Sequence, residues 1–120
     1  MKKYTIAFFF LLSSFAIKAE VFTWAPEKNK EQKVEIKKLD GILVNDECIN
    51  DKTVCQKIIA AVKKDKSQKK PEKGPLGNPA STKCSMNKGQ SEILRDTKHN
   101  EYDFCLFEQK YLIDSWALMK

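Results

Sequence analysis

The sequence predicts an α+β protein made of two small disulfide-stapled halves, the carboxyl-terminal half a short helix followed by antiparallel strands. Three observations lead there. Cys48, Cys55, Cys84 and Cys105 fall two and two on either side of a lysine-rich run. Short apolar segments alternate with polar residues and are separated by Gly, Pro, Asn and Asp clusters, which is strand periodicity with turn punctuation. Two segments instead carry helix start and stop signals at helical spacing.

The amino terminus is read first because it decides what the mature chain contains. Lys2 and Lys3 precede an apolar run from Ile6 to Ile17, and Ala16 and Ala19 are small residues suited to cleavage. This is the layout of a secretory signal peptide over residues 1–19, cut after Ala19 or Ala16, and the apolar run is shorter than the roughly 20 residues that span a bilayer. An exported protein, periplasmic or secreted, is the expectation. Residues 1–19 hold three lysines and no acid, so the formal charge falls from +6 to +3 without them. The remaining excess gathers at 63–75, "KKDKSQKKPEKGP", with six lysines and no aromatic residue or arginine. A nucleic-acid groove interleaves such residues, so the run reads as a solvated, self-repelling linker, with no nucleic acid as partner and membrane contact at most peripheral.

Residues 20–62 form the amino-terminal strand-strand-helix region. Val21, Phe22 and Trp24 sit on an arm that either docks its aromatics or stays loose. Val34 and Ile36 alternate with Glu35 and Lys37, Asp40-Gly41 is a hairpin dipeptide, and Ile42, Leu43 and Val44 follow as a second strand. A helix then starts at Asp51 or Thr53 and lines up Val54, Ile58, Ala61 and Val62, with lysines at its end where the helix dipole favours them. Residues 76–120 form the second unit. Asn78 before Pro79 is biased toward the extended angles of an N-cap, Pro79 loses no hydrogen bond at the first helical position, and Ala80 and Ser81 carry the helix on through Cys84. Gly89 is the expected left-handed residue that ends it. "SEILRD" and "YDFCLFE" read as strands joined across "TKHNE", and "YLIDSWALMK" as a closing strand turning into a helical end. Of three possible cysteine pairings, the linker favours the local one, Cys48 with Cys55 and Cys84 with Cys105. An even count in an exported chain points to disulfides, and a single histidine, His99, makes zinc improbable.

"GNPASTKC", "NKGQSEI", "YDFCLF" and "IDSWAL" together resemble the small bacterial domain family DUF333, whose members are often labelled hemolysin. The resemblance covers about residues 74–120. Departures stand at Lys88-Gly89, where paired glycines are common, at Ser115, where an acidic residue is common, and at Ile113, where some members have a further cysteine. The resemblance implies an exported or envelope-associated bacterial protein with no established enzymatic role.

No catalytic constellation stands out. His99 lies in a charged turn without a free cysteine or a serine in nucleophile context, so no catalytic residue, metal or cofactor is expected and the protein is not read as an enzyme. Asn78, Pro79, Ala80, Ser81, Gly89, Asp114 and Trp116 are the motif residues, and each has a structural job: Asn78 as cap, Trp116 in the small core, Asp114 capping the last helical turn. The expected function is a non-enzymatic binding or interaction module of the cell envelope, its partner a protein, a peptide or an envelope component. The alternative is a membrane-active, hemolysin-like protein, for which residues 52–66 are the sole amphipathic candidate. A secreted hydrolase inhibitor is a sub-case of binding.

Overall fold

Alternation along each strand sorts the side chains into two cores, and the sheet that separates them closes on itself. The computed structural model describes residues 19–27, 30–65 and 78–120; the predicted signal peptide, apart from Ala19, and most of the predicted linker lie outside the described residues. The strands are β1 (Glu20–Glu27), β2 (Lys30–Leu39), β3 (Ile42–Asn45), β4 (Gln90–Arg95), β5 (Glu101–Phe107) and β6 (Tyr111–Asp114). The helices are α1 (Asp46–Asn50), α2 (Lys52–Lys64) and α3 (Pro79–Met86), with a 3₁₀ turn at Ala117–Met119. The strands run in the order β1-β2-β3-β6-β5-β4, antiparallel throughout, and form a closed barrel. The chain is therefore α+β with an antiparallel sheet and two disulfides, as the cysteine and strand patterns predicted. Strands from both sides of the lysine-rich run share one sheet.

Within β5, Tyr102, Phe104 and Leu106 point into the barrel, whereas Cys105 and Phe107 point outward under the helices. The lumen is filled by Phe22, Ile36, Leu94, Phe104 and Leu112, all fully buried. At roughly 1.5–3 kcal/mol for each such side chain, this layer contributes on the order of 10 kcal/mol before chain entropy is set against it. The arm of residues 20–27 is thus neither loose nor peripheral: its Phe22 packs edge-on against Tyr102 and Phe104, with ring centroids 5.0 and 6.0 Å away. The outer core joins Val44, Ile113 and Phe107 of the barrel to Cys48, Cys55, Ile59 and Val62 of the helices and to Leu118.

The turn chemistry follows the sequence. Asp40 and Gly41 both take positive φ, 55° and 83°, in the tight β2–β3 hairpin. Cys48–Cys55 and Cys84–Cys105 are both formed, which is the local pairing. Asp51 does stand at the start of α2, but its side chain makes no cap there and instead accepts the Tyr111 hydroxyl at 2.8 Å. The buried stripe of α2 is Cys55, Ile59 and Val62, with Ile58 half-buried and Val54 and Ala61 exposed. It is rotated by about one residue from the predicted stripe, because Cys55, bridged to Cys48 of α1, is drawn into the outer core.

Gly89 is corrected in role. The left-handed residue after α3 is Lys88, at φ 69°, and Gly89 has no positive φ. Its backbone lies against the second disulfide: a Cβ there would collide with Cys105 Sγ and would sit 3.0 Å from Cys84 Sγ and 3.1 Å from Phe107 Cε1. The glycine is required by close approach.

Candidate functional site

Asp103 is the residue around which the motif gathers. It shares the outward parity of Cys105 on β5, so it emerges from the barrel beside the first turn of α3 and the segment that follows β6. Asn78 and Trp116 both reach it: Asn78 Nδ2 donates to Asp103 Oδ2 at 3.1 Å and Trp116 Nε1 donates to the same oxygen at 2.9 Å. The backbone repeats the link, Ser115 N donating to Asp103 O at 3.0 Å. Asn78 uses its other side-chain atom as predicted, Oδ1 accepting from Ser81 N at 2.7 Å to cap α3, with Pro79 at the first position and Ala80 buried beneath. One asparagine thus starts the helix and ties it to the barrel.

Trp116 is not a core residue: it is 45% exposed, whereas Leu118, 1% exposed, belongs to the outer core. The indole N–H needs an acceptor, and Asp103 on the outer wall supplies it. The ring is consequently held at the surface. Asp114 Oδ1 accepts from Trp116 N at 3.1 Å, which fixes the backbone as Asp103 fixes the ring; the residue at the cap position of the 3₁₀ turn is Trp116, with no side-chain cap, so Asp114 holds the turn that leads into it. Burial pushes the Asp114 carboxyl above its ordinary pKa, against the opposing hydrogen bonds from Trp116 and Ala117. Across the β4–β5 register Asp103 faces Ile93, which is 49% exposed. Ser81 Oγ and Ser91 Oγ, 3.0 Å apart, join α3 to β4 nearby. The result is an outer face with an aromatic ring, an aliphatic side chain and a rim of polar groups.

Asp103 was not singled out in the sequence, although it stands in the quoted "YDFCLF". Its signal is parity: it is two residues before Cys105 and so must lie on the face that carries the disulfide and α3.

A second polar place lies at the β4–β5 turn, a depression of about 360 Å³ lined by Glu20, Val21, Asp96, Thr97, Lys98, Asn100 and Tyr102. Asp96 Oδ1 accepts from Lys98 N and Asn100 N at 2.8 and 2.9 Å, and Oδ2 from Asn100 Nδ2 and Tyr102 Oη, both at 3.1 Å. Partial desolvation raises its pKa, but these hydrogen bonds, those from Asn100 foremost, outweigh it and lower the pKa to about 2. A carboxylate so fully engaged organises a turn and is a poor proton acceptor. His99 occupies the same turn at φ 68°, exposed. Among the described residues no group of three or more His, Cys, Asp or Glu is arranged to hold a metal.

The fold and this cluster define a disulfide-stapled α+β barrel in which Asn78, Asp103, Asp114 and Trp116 come together on one outer face. Residues 75–120, which contain all of Asn78, Asp103, Asp114 and Trp116, match the family described as Domain of unknown function (DUF333). No curated protein and no solved structure matches the chain.

Proposed function

We propose that the protein is a non-enzymatic binding module of the bacterial cell envelope and that the Trp116–Ile93 face is its contact surface. The observation that carries this reading is the state of Trp116: a 45% exposed tryptophan whose ring is fixed by a 2.9 Å bond to Asp103. A large aromatic surface already ordered before contact reduces the entropy lost on binding, and tryptophans of this kind dominate binding energetics in protein interfaces. The partner is a protein, a peptide or another envelope component. Two disulfides are compatible with export through the amino-terminal segment.

Membrane activity has less support. The apolar stripe of α2, Cys55, Ile59 and Val62, is buried in the outer core and the helix is tied to α1 by a disulfide, so it has no broad apolar face to present to lipid. Among the described residues no helix is long and apolar enough to cross a membrane.

The test compares the oxidised mature protein with Trp116→Ala and Ile93→Lys as baits on envelope extracts, with dye-filled anionic vesicles alongside. The reading predicts a discrete partner captured by the parent protein and lost with both variants at unchanged fold, and no dye release. Capture indifferent to both substitutions would refute the face; dose-dependent release would favour the membrane-active alternative.

A further inference from the structure

Each half of the chain contributes three consecutive antiparallel strands, β1-β2-β3 before the lysine-rich run and β4-β5-β6 after it. Taken singly, each is an open sheet with two unpaired edges and one apolar face, an arrangement that invites another sheet. On the first sheet that face is Phe22, Trp24, Val34, Ile36 and Leu43; on the second it is Leu94, Tyr102, Phe104, Leu106 and Leu112. The two faces fill one lumen.

The seams between the sheets are short. β1 meets β4 only at Thr23↔Arg95 and Trp24↔Leu94, and β3 meets β6 only at Val44↔Ile113. Side chains extend both. Trp24 Nε1 donates to Glu92 Oε1 at 2.9 Å across the first seam. At the second, the buried Asn45 donates from Nδ2 to Lys110 O at 3.0 Å and accepts Leu112 N on Oδ1 at 3.2 Å. Neither disulfide crosses a seam. Charge does not oppose the union: residues 20–65 hold nine Lys and nine Asp or Glu, and residues 78–120 six Lys or Arg and six Asp or Glu, so each half is formally neutral.

We infer that residues 78–120, the part of the chain with the family match, form a half-barrel receptor whose ligand is a three-stranded half-barrel. Residues 20–65 supply it in cis, and the halves hold one another without the peptide connection. The module that binds through Trp116 is then the pair of halves.

The test uses the full chain with residues 68–74 replaced by a specific protease recognition sequence, oxidised and cut to completion. Denaturing non-reducing gels should show two pieces, since both bridges are local. Size exclusion at micromolar concentration should show one species at the mass of the uncut protein, with strand circular dichroism retained. Mixing with isotopically labelled cut protein should yield mixed-label pairs in native mass spectrometry, and Phe22→Ala should weaken pairing at least tenfold on dilution. Halves that elute apart, whether each folded or both unfolded, overturn the inference. Should the engineered chain fold poorly before cutting, limited Lys-C digestion of the natural chain at Lys66–Lys70 gives the same readout.

Discussion

Replacing Gly89 by alanine puts a methyl group where the second disulfide already lies. The added Cβ overlaps Cys105 Sγ and comes to 3.0 Å from Cys84 Sγ and 3.1 Å from Phe107 Cε1, the last in a ring only 5% exposed. None of these neighbours is the free end of a flexible side chain. Two are bonded to each other, and the third is packed into the outer core. Overpacking a filled site costs about 1–3 kcal/mol. Relief by displacing the bridge would sacrifice a cross-link that closes a separation of 21 residues, worth about 3 kcal/mol in the chain-entropy model. The two routes bracket a loss of about 1–3 kcal/mol, which in a domain of this size lowers Tm by roughly 4–24 °C. Thermal and urea denaturation of the oxidised protein, with a free-thiol count before and after, measure both routes. Lys88→Gly is the internal control: its φ of 69° disfavours a side chain, so glycine there should be neutral or stabilising by up to about 1 kcal/mol. A Gly89→Ala protein with parental Tm and no free thiol would refute the close-approach argument, and a large loss in Lys88→Gly would show that the turn is held by something other than backbone angle.

Three further outcomes follow from the site. Trp116→Ala should cost only about 1–2 kcal/mol, because the ring is half-exposed and loses one principal hydrogen bond, whereas Leu118→Ala should cost about 2–5 kcal/mol in the same urea titration. Ser115, 1% exposed, has a buried hydroxyl with no partner, so Ser115→Ala should be neutral or stabilising by about 1 kcal/mol on the same assay. Asp114 has a folded-state pKa raised above 3.8 by burial, so its ionisation opposes folding: parental stability from this group is fully present below 3.8 and lost as pH rises through the raised value. Asp114→Asn keeps the acceptor for Trp116 N and removes the titration, so it should match or exceed the parent at pH 7, with the difference shrinking as pH falls toward 3.8 in paired denaturation curves.

Local chemistry was legible in the residues. Asn78 before Pro79 announces a cap, Asp40-Gly41 a tight hairpin, and two cysteines on each side of a polar run a local pairing; all three are set by neighbours in sequence and all three occur. Barrel closure was not legible, because the seams rest on so few paired residues and on a lumen filled from both halves, which no periodicity within one half reports. Asn45 shows the same limit: beside Asp46 it reads as turn punctuation, yet its carbonyl oxygen caps α1 and receives the backbone of β6. Gly89 and Trp116 were assigned by residue type, the glycine to backbone freedom and the tryptophan to the core. Contact geometry decides otherwise, since the disulfide leaves no room for a Cβ and the indole N–H is held by Asp103 on the outer wall.

The measurement that bears most directly on the binding face is site-specific photocrosslinking in bacterial cells, with a photoreactive residue at Ile93, opposite Asp103 in the β4–β5 register, or, for comparison, at the exposed Lys57 of α2. The account predicts a discrete adduct from position 93 that disappears when Trp116→Ala is added, and none from position 57. No adduct at 93, or equal adducts at both positions that ignore Trp116→Ala, would contradict it.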